Sequence, residues 1–584
     1  MAVDLGNVNL IWASVLVESL KRLGLTKAII CPGSRSTPLA FAFARDETIE
    51  AIPVLDERSA AFFALGLARQ VGLPVALVCT SGTAGANFYP ALIEAKEARV
   101  PLLVLTADRP QELRDCNAGQ AIDQVKLFGS FPNWHTEVAL PSSEQSLLSY
   151  LRQTALQAWQ KALWPVPGPV HLNLPFREPL VPTNQQAVDD FVRQLEKEYF
   201  FAAIAKQTYT ASPNDFSQLN AVQRWQQCHQ GLLIAGPAQP QFPEAYCQAV
   251  ARISISLGWP VLAEALSPLR NYASLNPHLV SAYDIILRNQ ELAQQLKPEL
   301  VIRVGEMPTS KVLRLWLTET QPECWVVDPA DRNLDPLHLR TNYLRLPVEK
   351  LAQEFLEPEL VTRSYLHSWQ SAQQRTAQAI DQLMEATNTP VESKVAWLLA
   401  KVLPKQTPIF IANSMPVRDL EFFWQPNQGA FQPFFNRGAN GIDGTLSTAL
   451  GIAHSNRSAV LLTGDLALLH DTNGFLLRKQ FTGHLTIVLI NNNGGGIFEN
   501  LPIAGFNPPF EEFFGTPQDI DFAKLANTYD VEYELVSSWG QLTQRLSSLP
   551  EHGIRLLEWQ TNRKQDALWR KVNLARLAEI ASCN

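Results

Sequence analysis

Asp465 and Asn492 are the residues whose types and spacing point most directly to chemistry. They lie in Thr463-Gly464-Asp465-Leu466 and in Ile490-Asn491-Asn492-Asn493-Gly494-Gly495-Gly496, each directly after an apolar, β-branched run. Ala459 to Leu462 and Thr486 to Ile490 read as buried parallel strands, with Asp471 to Gln480 a short crossover helix between them. Such a βαβ unit sets the two residues side by side at the carboxyl ends of neighbouring strands, where open α/β sheets bind ligands. An Asp carboxylate, an Asn carbonyl and a nearby backbone carbonyl are hard oxygen ligands suited to Mg²⁺, which completes its shell with water and substrate phosphates. The pair predicts a metal-anchored diphosphate, although the same residues taken alone also fit a glycine-bearing turn at a sheet edge.

A second set of residues speaks to substrate. Arg35, Arg109, Arg418 and Arg437 stand in Ser34-Arg35-Ser36, Asp108-Arg109-Pro110, Val417-Arg418-Asp419 and Asn436-Arg437-Gly438, each following a strand or opening a helix. Strand-end loops converge on one crevice in a doubly wound sheet. Guanidinium groups facing that crevice would suit bidentate capture of several carboxylates. Each arginine alone fits a solvated surface ion pair equally well.

The elements that must position these residues alternate strand and helix. At 584 residues the chain is too long for one core. In the first third, Lys27 to Cys31, Glu50 to Leu55, Pro74 to Cys79 and Val100 to Thr106 read as strands, the last closing the set, with helical patterns such as Ser59 to Gln70 between them. Strands at Gly231 to Ala235, Leu300 to Val304 and Trp325 to Asp328 mark a middle sheet. Pro408 to Ala412 joins the two runs described above in a last one, with a helix at Gly444 to His454. The expected fold class is α/β, with three doubly wound parallel-sheet domains at 1–185, 186–350 and 389–584 and a helical connector at 351–388. Ala64-Leu65-Gly66-Leu67-Ala68 and Ala449-Leu450-Gly451-Ile452-Ala453 share a pattern in which glycine lets a helix approach its sheet closely.

Composition narrows the function classes. Apolar content of 46% and charged content of 18% are those of a folded chain. A net charge of −8, with no basic cluster, argues against nucleic acid as a partner. Met1 to Leu25 reads as an amphipathic first helix rather than a leader, and no apolar run reaches bilayer length. The cysteines at 31, 79, 116, 228, 247, 324 and 583 form no Cys-x-x-Cys pair, so a reducing, cytoplasmic setting is expected.

At Gly464-Asp465 and Asn491-Asn492 the chain resembles the thiamine diphosphate enzymes, whose signature is Gly-Asp-x followed, one βαβ unit later, by Asn-Asn. The order of outer cofactor-handling sheets around a middle sheet is that of the decarboxylase-like members. The resemblance implies that a glutamate from the first sheet touches the aminopyrimidine of the cofactor, and Glu57 is the candidate. It sits at a strand-to-helix turn before Ala60-Ala61-Phe62-Phe63, where burial would raise its pKa. The plainer reading makes Asp56 the helix cap and Glu57 a first-turn charge. The resemblance further implies two chains meeting head to tail, each active site shared.

Five longer motifs narrow the resemblance. They are Cys31-Pro32-Gly33-Ser34-Arg35-Ser36-Thr37-Pro38, Thr80-Ser81-Gly82-Thr83-Ala84, Thr106-Ala107-Asp108-Arg109-Pro110, Asn413-Ser414-Met415-Pro416-Val417-Arg418-Asp419 and Asn436-Arg437-Gly438-Ala439-Asn440-Gly441-Ile442-Asp443-Gly444. Together they resemble the 2-succinyl-5-enolpyruvyl-6-hydroxy-3-cyclohexene-1-carboxylate synthases, down to Leu466 where other thiamine diphosphate enzymes place glycine.

That resemblance implies decarboxylation of 2-oxoglutarate and addition of the succinyl unit to isochorismate, on the route to menaquinone or phylloquinone. Glu57, Arg35, Arg109, Gln120, Arg418 and Arg437 would carry the chemistry, with Ser34, Lys311 and Ser414 contacting substrate and Ile497 and Phe498 walling its pocket. Gly464, Asp465, Leu466 and Asn492 would hold diphosphate and Mg²⁺ or, in its place, Mn²⁺, with Gly494 giving a backbone oxygen and Ile442 wedging the cofactor into its bent form. Gly119 departs from the Asn-Gln of relatives, so no side-chain contact comes from that position. The assembly would be a homodimer or homotetramer. Two other readings stand beside this one: a thiamine diphosphate decarboxylase of a simpler 2-oxo acid, and a cofactor-binding scaffold without turnover.

Overall fold

The computed structural model describes residues 7–183, 200–202, 204, 219–355, 361, 363–455 and 457–582. The first six residues, the expected 185/186 boundary with the glutamine-rich run after it, and Cys583 lie outside them.

Three parallel sheets of six strands organise the chain. The first holds β1 (Lys27–Ile30), β2 (Glu50–Pro53), β3 (Val75–Cys79), β4 (Leu102–Asp108), β5 (Trp134–Glu137) and β6 (Pro169–Pro175). The second holds β7 (Gly231–Ala235), β8 (Val261–Ala263), β9 (Leu279–Val280), β10 (Leu300–Val304), β11 (Glu323–Val327) and β12 (Arg340–Leu344). The third holds β13 (Pro408–Ile411), β14 (Gln432–Phe434), β15 (Arg457–Gly464), β16 (Gly483–Asn491), β17 (Glu532–Leu535) and β18 (Gly553–Gln560). Central strands such as β3, β4 and β7 are buried along their whole length, which is why they read as unbroken apolar runs.

The first sheet runs β2-β1-β3-β4-β6-β5 and the third β14-β13-β15-β16-β18-β17, the same winding. Strand order reverses between β1 and β3 and again between β13 and β15. Such reversals open a crevice at the carboxyl ends; Arg35 follows β1, Ser414 β13 and Asp465 β15, whereas Arg109, Arg437 and Asn492 follow the neighbouring strands β4, β14 and β16. The first sheet does not close at β4: β5 and β6 extend it, their strand character masked in the sequence by the polar run Trp134-His135-Thr136-Glu137 and by prolines at both ends of β6.

The chain forms two compact units. Unit one comprises Met1–Thr210, Asn436–Arg457 and His470–Gly483, and unit two Ala211–Phe435, Ser458–Leu469 and His484–Asn584. In unit one the helices Glu57–Val71 and Thr445–Ala453 cross each other through the two glycines singled out above. A Cβ on Gly66 would lie 2.2 Å from the Thr448 carbonyl oxygen, and one on Gly451 2.3 Å from that of Phe63. The shared pattern therefore serves helix-on-helix contact rather than the approach of each helix to its own sheet.

Between β15 and β16 the crossover is a turn of α-helix, Asp465–His470, followed by a 3₁₀ stretch, Thr472–Lys479, rather than one helix over 471–480. Asn473-Gly474 is a poor helix former. Gly474 also passes so near Ser447 that a Cβ would lie 2.8 Å from its hydroxyl.

Unit two has a core shared by the second and third sheets, into which the helix Ser364–Ala386 buries Tyr365, Trp369, Ile380 and Met384. Arg270 on the second-sheet side donates to the backbone carbonyls of Glu421 and Trp424 on the third, at 3.0 and 3.1 Å. No helix among the described residues is long and apolar enough to cross a membrane.

Candidate active site

In unit two, β15 delivers Asp465 and β16 delivers Asn492 from adjacent positions in the third sheet. The Asp465 carboxylate accepts the Gly494 N–H at 2.8 Å and the Leu466 N–H at 2.7 Å. Burial pushes this carboxyl up to about 6, against the pull of those N–H groups. Asn492 donates Nδ2 to the Glu392 carboxylate at 3.3 Å, while its Oδ1 is buried with no partner. A buried amide oxygen lacking a partner, next to a carboxylate that burial disfavours, is a donor set that a hard cation completes. Gly494 adopts φ +139°, and a Cβ there would lie 2.1 Å from the Gly515 carbonyl oxygen, so glycine is required. Its carbonyl accepts the Gly496 N–H at 2.9 Å and keeps a second lone pair. A cavity of about 280 Å³ lies against Asp465, lined also by Asn491, Asn493, Gln518, Asp519 and Thr561.

A second cavity in unit two, of about 690 Å³, gathers Lys311, Arg418 and Ile497 together with Arg288, Lys564 and Lys571. Lys311 opens its helix behind Ser310, whose hydroxyl accepts the Leu313 N–H at 3.0 Å and donates to Asp284. Ser414 holds φ +73°, a strained value for a residue with a side chain. Its carbonyl accepts from the Arg418 guanidinium one helical turn on. Phe498 packs edge-on to Phe514, ring centres 5.6 Å apart, and does not line this cavity.

Unit one collects the other expected residues. Arg35, after β1, is buried and donates to the Phe176 carbonyl at 2.8 Å; Arg109, after β4, donates to the Ser81 hydroxyl. The Arg35 guanidinium is held below its ordinary pKa by burial and then by the charge of Arg109, which places the two cations in one neighbourhood. Ser34 is exposed. Gln120, at φ +56°, backs onto Gly82, where a Cβ would come within 3.4 Å of its own. Asp56 caps the helix Glu57–Val71 by accepting the Arg58 N–H at 2.9 Å. Glu57 is half-buried and accepts from the Asn87 amide at 3.4 Å.

Arg437 and Ile442 share a loop that sequence reasoning left unanchored. The buried Glu94 carboxylate accepts the Gly438 N–H at 3.0 Å and the Ala439 N–H at 2.7 Å, and pairs with Arg69 at 3.0 Å. Burial pushes the Glu94 carboxyl up, opposed by Arg69 and the two N–H groups.

Also missed was a buried cluster in unit two, in which Arg570 bridges Glu392 at 2.6 Å and Asp419 at 2.8 Å. Burial pushes the Glu392 carboxyl up, with Arg570 pulling against it.

Three parallel sheets, the outer two of identical winding and the last carrying Asp465 and Asn492 after adjacent strands, place the chain among the thiamine diphosphate enzymes. Residues 12–127 match the family model "Thiamine pyrophosphate enzyme, N-terminal TPP binding domain", 189–411 match "Middle domain of thiamine pyrophosphate", and 421–558 match "Thiamine pyrophosphate enzyme, C-terminal TPP binding domain". Benzoylformate decarboxylase from Polynucleobacter necessarius shares the fold, with TM-score 0.69 at 16% identity over 94% of this chain and 98% of that one. The thiamine diphosphate-dependent 4-hydroxybenzoylformate decarboxylase of Rhodococcus jostii RHA1 gives 0.68 at 16% over 94% and 99%.

Sequence relatives are far nearer. The chain is 61% identical to the 2-succinyl-5-enolpyruvyl-6-hydroxy-3-cyclohexene-1-carboxylate synthase of Trichormus variabilis over 99% of both chains, and 59% identical to that of Nostoc sp., again over 99% of both. It is 57% identical to the synthase of Gloeothece citriformis over 99% of this chain and 100% of the relative. The chain belongs to the family of 2-succinyl-5-enolpyruvyl-6-hydroxy-3-cyclohexene-1-carboxylate synthases.

Proposed function

We propose that the protein decarboxylates 2-oxoglutarate with thiamine diphosphate and Mg²⁺ and adds the remaining succinyl unit to isochorismate, releasing CO₂ and serving menaquinone or phylloquinone biosynthesis. The observation that carries the reading is the 61% identity, end to end, to a synthase named for that product.

Bound thiamine diphosphate supplies the nucleophilic carbon and the electron sink for decarboxylation. The chain's own residues do the rest. Asp465, Asn492 and the Gly494 carbonyl would hold Mg²⁺ or, in its place, Mn²⁺, and Gly464 and Leu466 would border the diphosphate. Ile442 would be the apolar residue that supports the cofactor's bent form. Glu57 would hold a proton at the aminopyrimidine nitrogen. Both substrates are dicarboxylates, which gives the cations a purpose: Arg35, Arg109, Arg437, Arg418 and Lys311 fix anionic groups so that the reacting carbons meet. Ser34, Gln120 and Ser414 add hydrogen bonds, and Ile497 and Phe498 exclude water. The supporting geometry is the cavity shared by Lys311, Arg418 and Ile497 and the neighbouring charges of Arg35 and Arg109.

The active assembly is a homodimer or homotetramer in the cytoplasm, in which one chain contributes the Glu57 set and a partner chain the Asp465 set. The domains divide at about residues 185, 350 and 388.

The test is isochorismate consumption by purified protein with Mg²⁺ and thiamine diphosphate, with and without 2-oxoglutarate. Loss requiring every component, matched by CO₂, is expected. CO₂ release with isochorismate untouched would replace the reading with a decarboxylase of another specificity, and no reaction would bring forward the scaffold.

A further inference from the structure

Glu392 opens the helix Glu392–Val402 and lies buried behind Asn492. One carboxylate oxygen accepts Asn492 Nδ2 at 3.3 Å; the other accepts Arg570 Nη2 at 2.6 Å. Arg570 is itself fixed by two bonds to Asp419, at 2.8 and 3.0 Å. The Glu392 backbone N–H donates to Asp566 at 3.1 Å, so the residue is held at its main chain as well as at its carboxylate. Asn492, Glu392, Asp419 and Arg570 are all less than a tenth exposed.

A side-chain amide is nearly symmetric in shape, and which end faces a cation depends on what its other end meets. Glu392 meets that other end with an acceptor, its Oε2 taking the Asn492 N–H while its Oε1 takes Arg570. Facing Asn492, it therefore selects the NH₂ end and leaves Oδ1 turned away, the atom that lacks a partner. We propose that Glu392 is a positioning residue that sets the Asn492 amide with its oxygen toward the cation, Arg570 and Asp419 fixing the Glu392 carboxylate in turn. This rests on Asp465 and Asn492 being the metal ligands. It has the form of outer-shell hydrogen bonds that orient metal ligands in general, whose loss weakens binding about 10–100-fold.

The test reads Mn²⁺ binding, through the electron paramagnetic resonance signal of free Mn²⁺, to full-length protein stripped of metal and supplied with thiamine diphosphate. No turnover is required. In Glu392→Gln the new amide keeps its oxygen toward Arg570 and presents NH₂ to Asn492, which must turn to answer it. Mn²⁺ affinity should fall about 10–100-fold while the thermal midpoint moves little. Asn492→Asp alone sets two carboxylates against each other and should also bind weakly.

The double variant restores a donor–acceptor pair with a free oxygen on the metal side, and should recover most of the lost affinity. A merely structural Glu392 would give losses that add. Additive losses, or wild-type affinity in Glu392→Gln, would overturn the proposal. Asp465→Ala separates the two readings. If it binds Mn²⁺ like wild type, the metal site and the proposal fall together; if it loses Mn²⁺ while the double variant shows no recovery, only the positioning role falls.

Discussion

Glu94→Gln probes the loop that carries Arg437 and Ile442 without touching either. Of the three groups on the Glu94 carboxylate, Oε1 serves the Gly438 N–H and Arg69, and Oε2 serves the Ala439 N–H at 2.7 Å. Glutamine has a single acceptor oxygen. Placed to keep Arg69 and Gly438, it points its NH₂ at the Ala439 N–H and strands a donor, at about 1–3 kcal/mol. It also removes the Glu94 charge from the Arg69 guanidinium, and breaking a buried pair from one side costs about 3–5 kcal/mol. Against this, burial already disfavours the Glu94 charge, so removing it returns part of that sum, and a net loss of about 2–4 kcal/mol is the working figure.

The functional consequence is separable from the loss of stability. Gly438 lies so close to the helix Tyr89–Glu97 that a Cβ would be 2.7 Å from the Ala98 nitrogen, so the loop has one seat, set by Glu94. Displacing it by about 1 Å can lower kcat/KM on the order of 100-fold. The assay pairs thermal unfolding with 2-oxoglutarate and thiamine diphosphate titrations of isochorismate consumption. A lowered midpoint with unchanged kcat/KM and cofactor affinity would show that the carboxylate supports the fold but does not seat the loop, and the reasoning would be refuted.

Other perturbations give sharper chemistry. Glu57→Gln should retain thiamine diphosphate on a desalting column yet lose most turnover; an unimpaired rate removes Glu57 from the reaction. Arg418→Ala should raise KM for one dicarboxylate at least tenfold, the loss of about 1.4 kcal/mol or more expected for a charge-assisted bond, with cofactor affinity unchanged; parallel losses in both would mean misfolding. Asp471, buried and accepting the Ser447 N–H and hydroxyl, has its pKa raised by burial to about 7. A carboxyl raised above its unfolded value of about 3.9 stabilises the fold fully below that pH, and the contribution, on the order of a few kcal/mol, is lost as pH rises through about 7. Asp471→Asn should flatten that part of the pH–stability curve and exceed wild type at pH of about 8, whereas parallel curves from about pH 4 to 8 would rule the effect out.

The fold was legible where burial is two-sided. β7 and β10 appear at the bounds that their apolar runs announce, because a strand covered on both faces has no polar alternation to confuse it. The strands that escaped notice lie toward sheet edges or are very short. β17, Glu532–Leu535, has no buried residue, and β9 has two residues, so neither carries a readable pattern. The glycine pattern was seen but misassigned. A helical glycine announces close approach, yet nothing local says whether the partner is a strand or, as with Gly66 and Gly451, another helix.

Candidate site residues were legible when they stood at the ends of such strands and illegible when they acted through a distant partner. Asp465 and Asn492 are flanked by their own explanation, a strand before and glycines after. Glu392 lies 100 positions from Asn492 and 178 from Arg570, and in sequence it is one more first-turn acid on a helix. Glu94 sits 344 positions from the Gly438 N–H that it holds. A usable signal did exist in the last helix. Along Arg563–Ser582 the buried positions are Arg563, Asp566, Arg570, Leu574, Leu577, Ala578 and Ala581, a stripe at helical spacing whose first three members are charged. Charges on the core stripe of a helix are buried only when paired, so the pattern itself demands buried counter-ions elsewhere in the chain. Asp419 and Glu392 meet that demand for Arg570, Glu499 and Glu511 meet it for Arg563, and both arginines thereby reach the loop that bears Asn492 and Gly494, Arg570 through Glu392 and Arg563 through the Asn493 carbonyl.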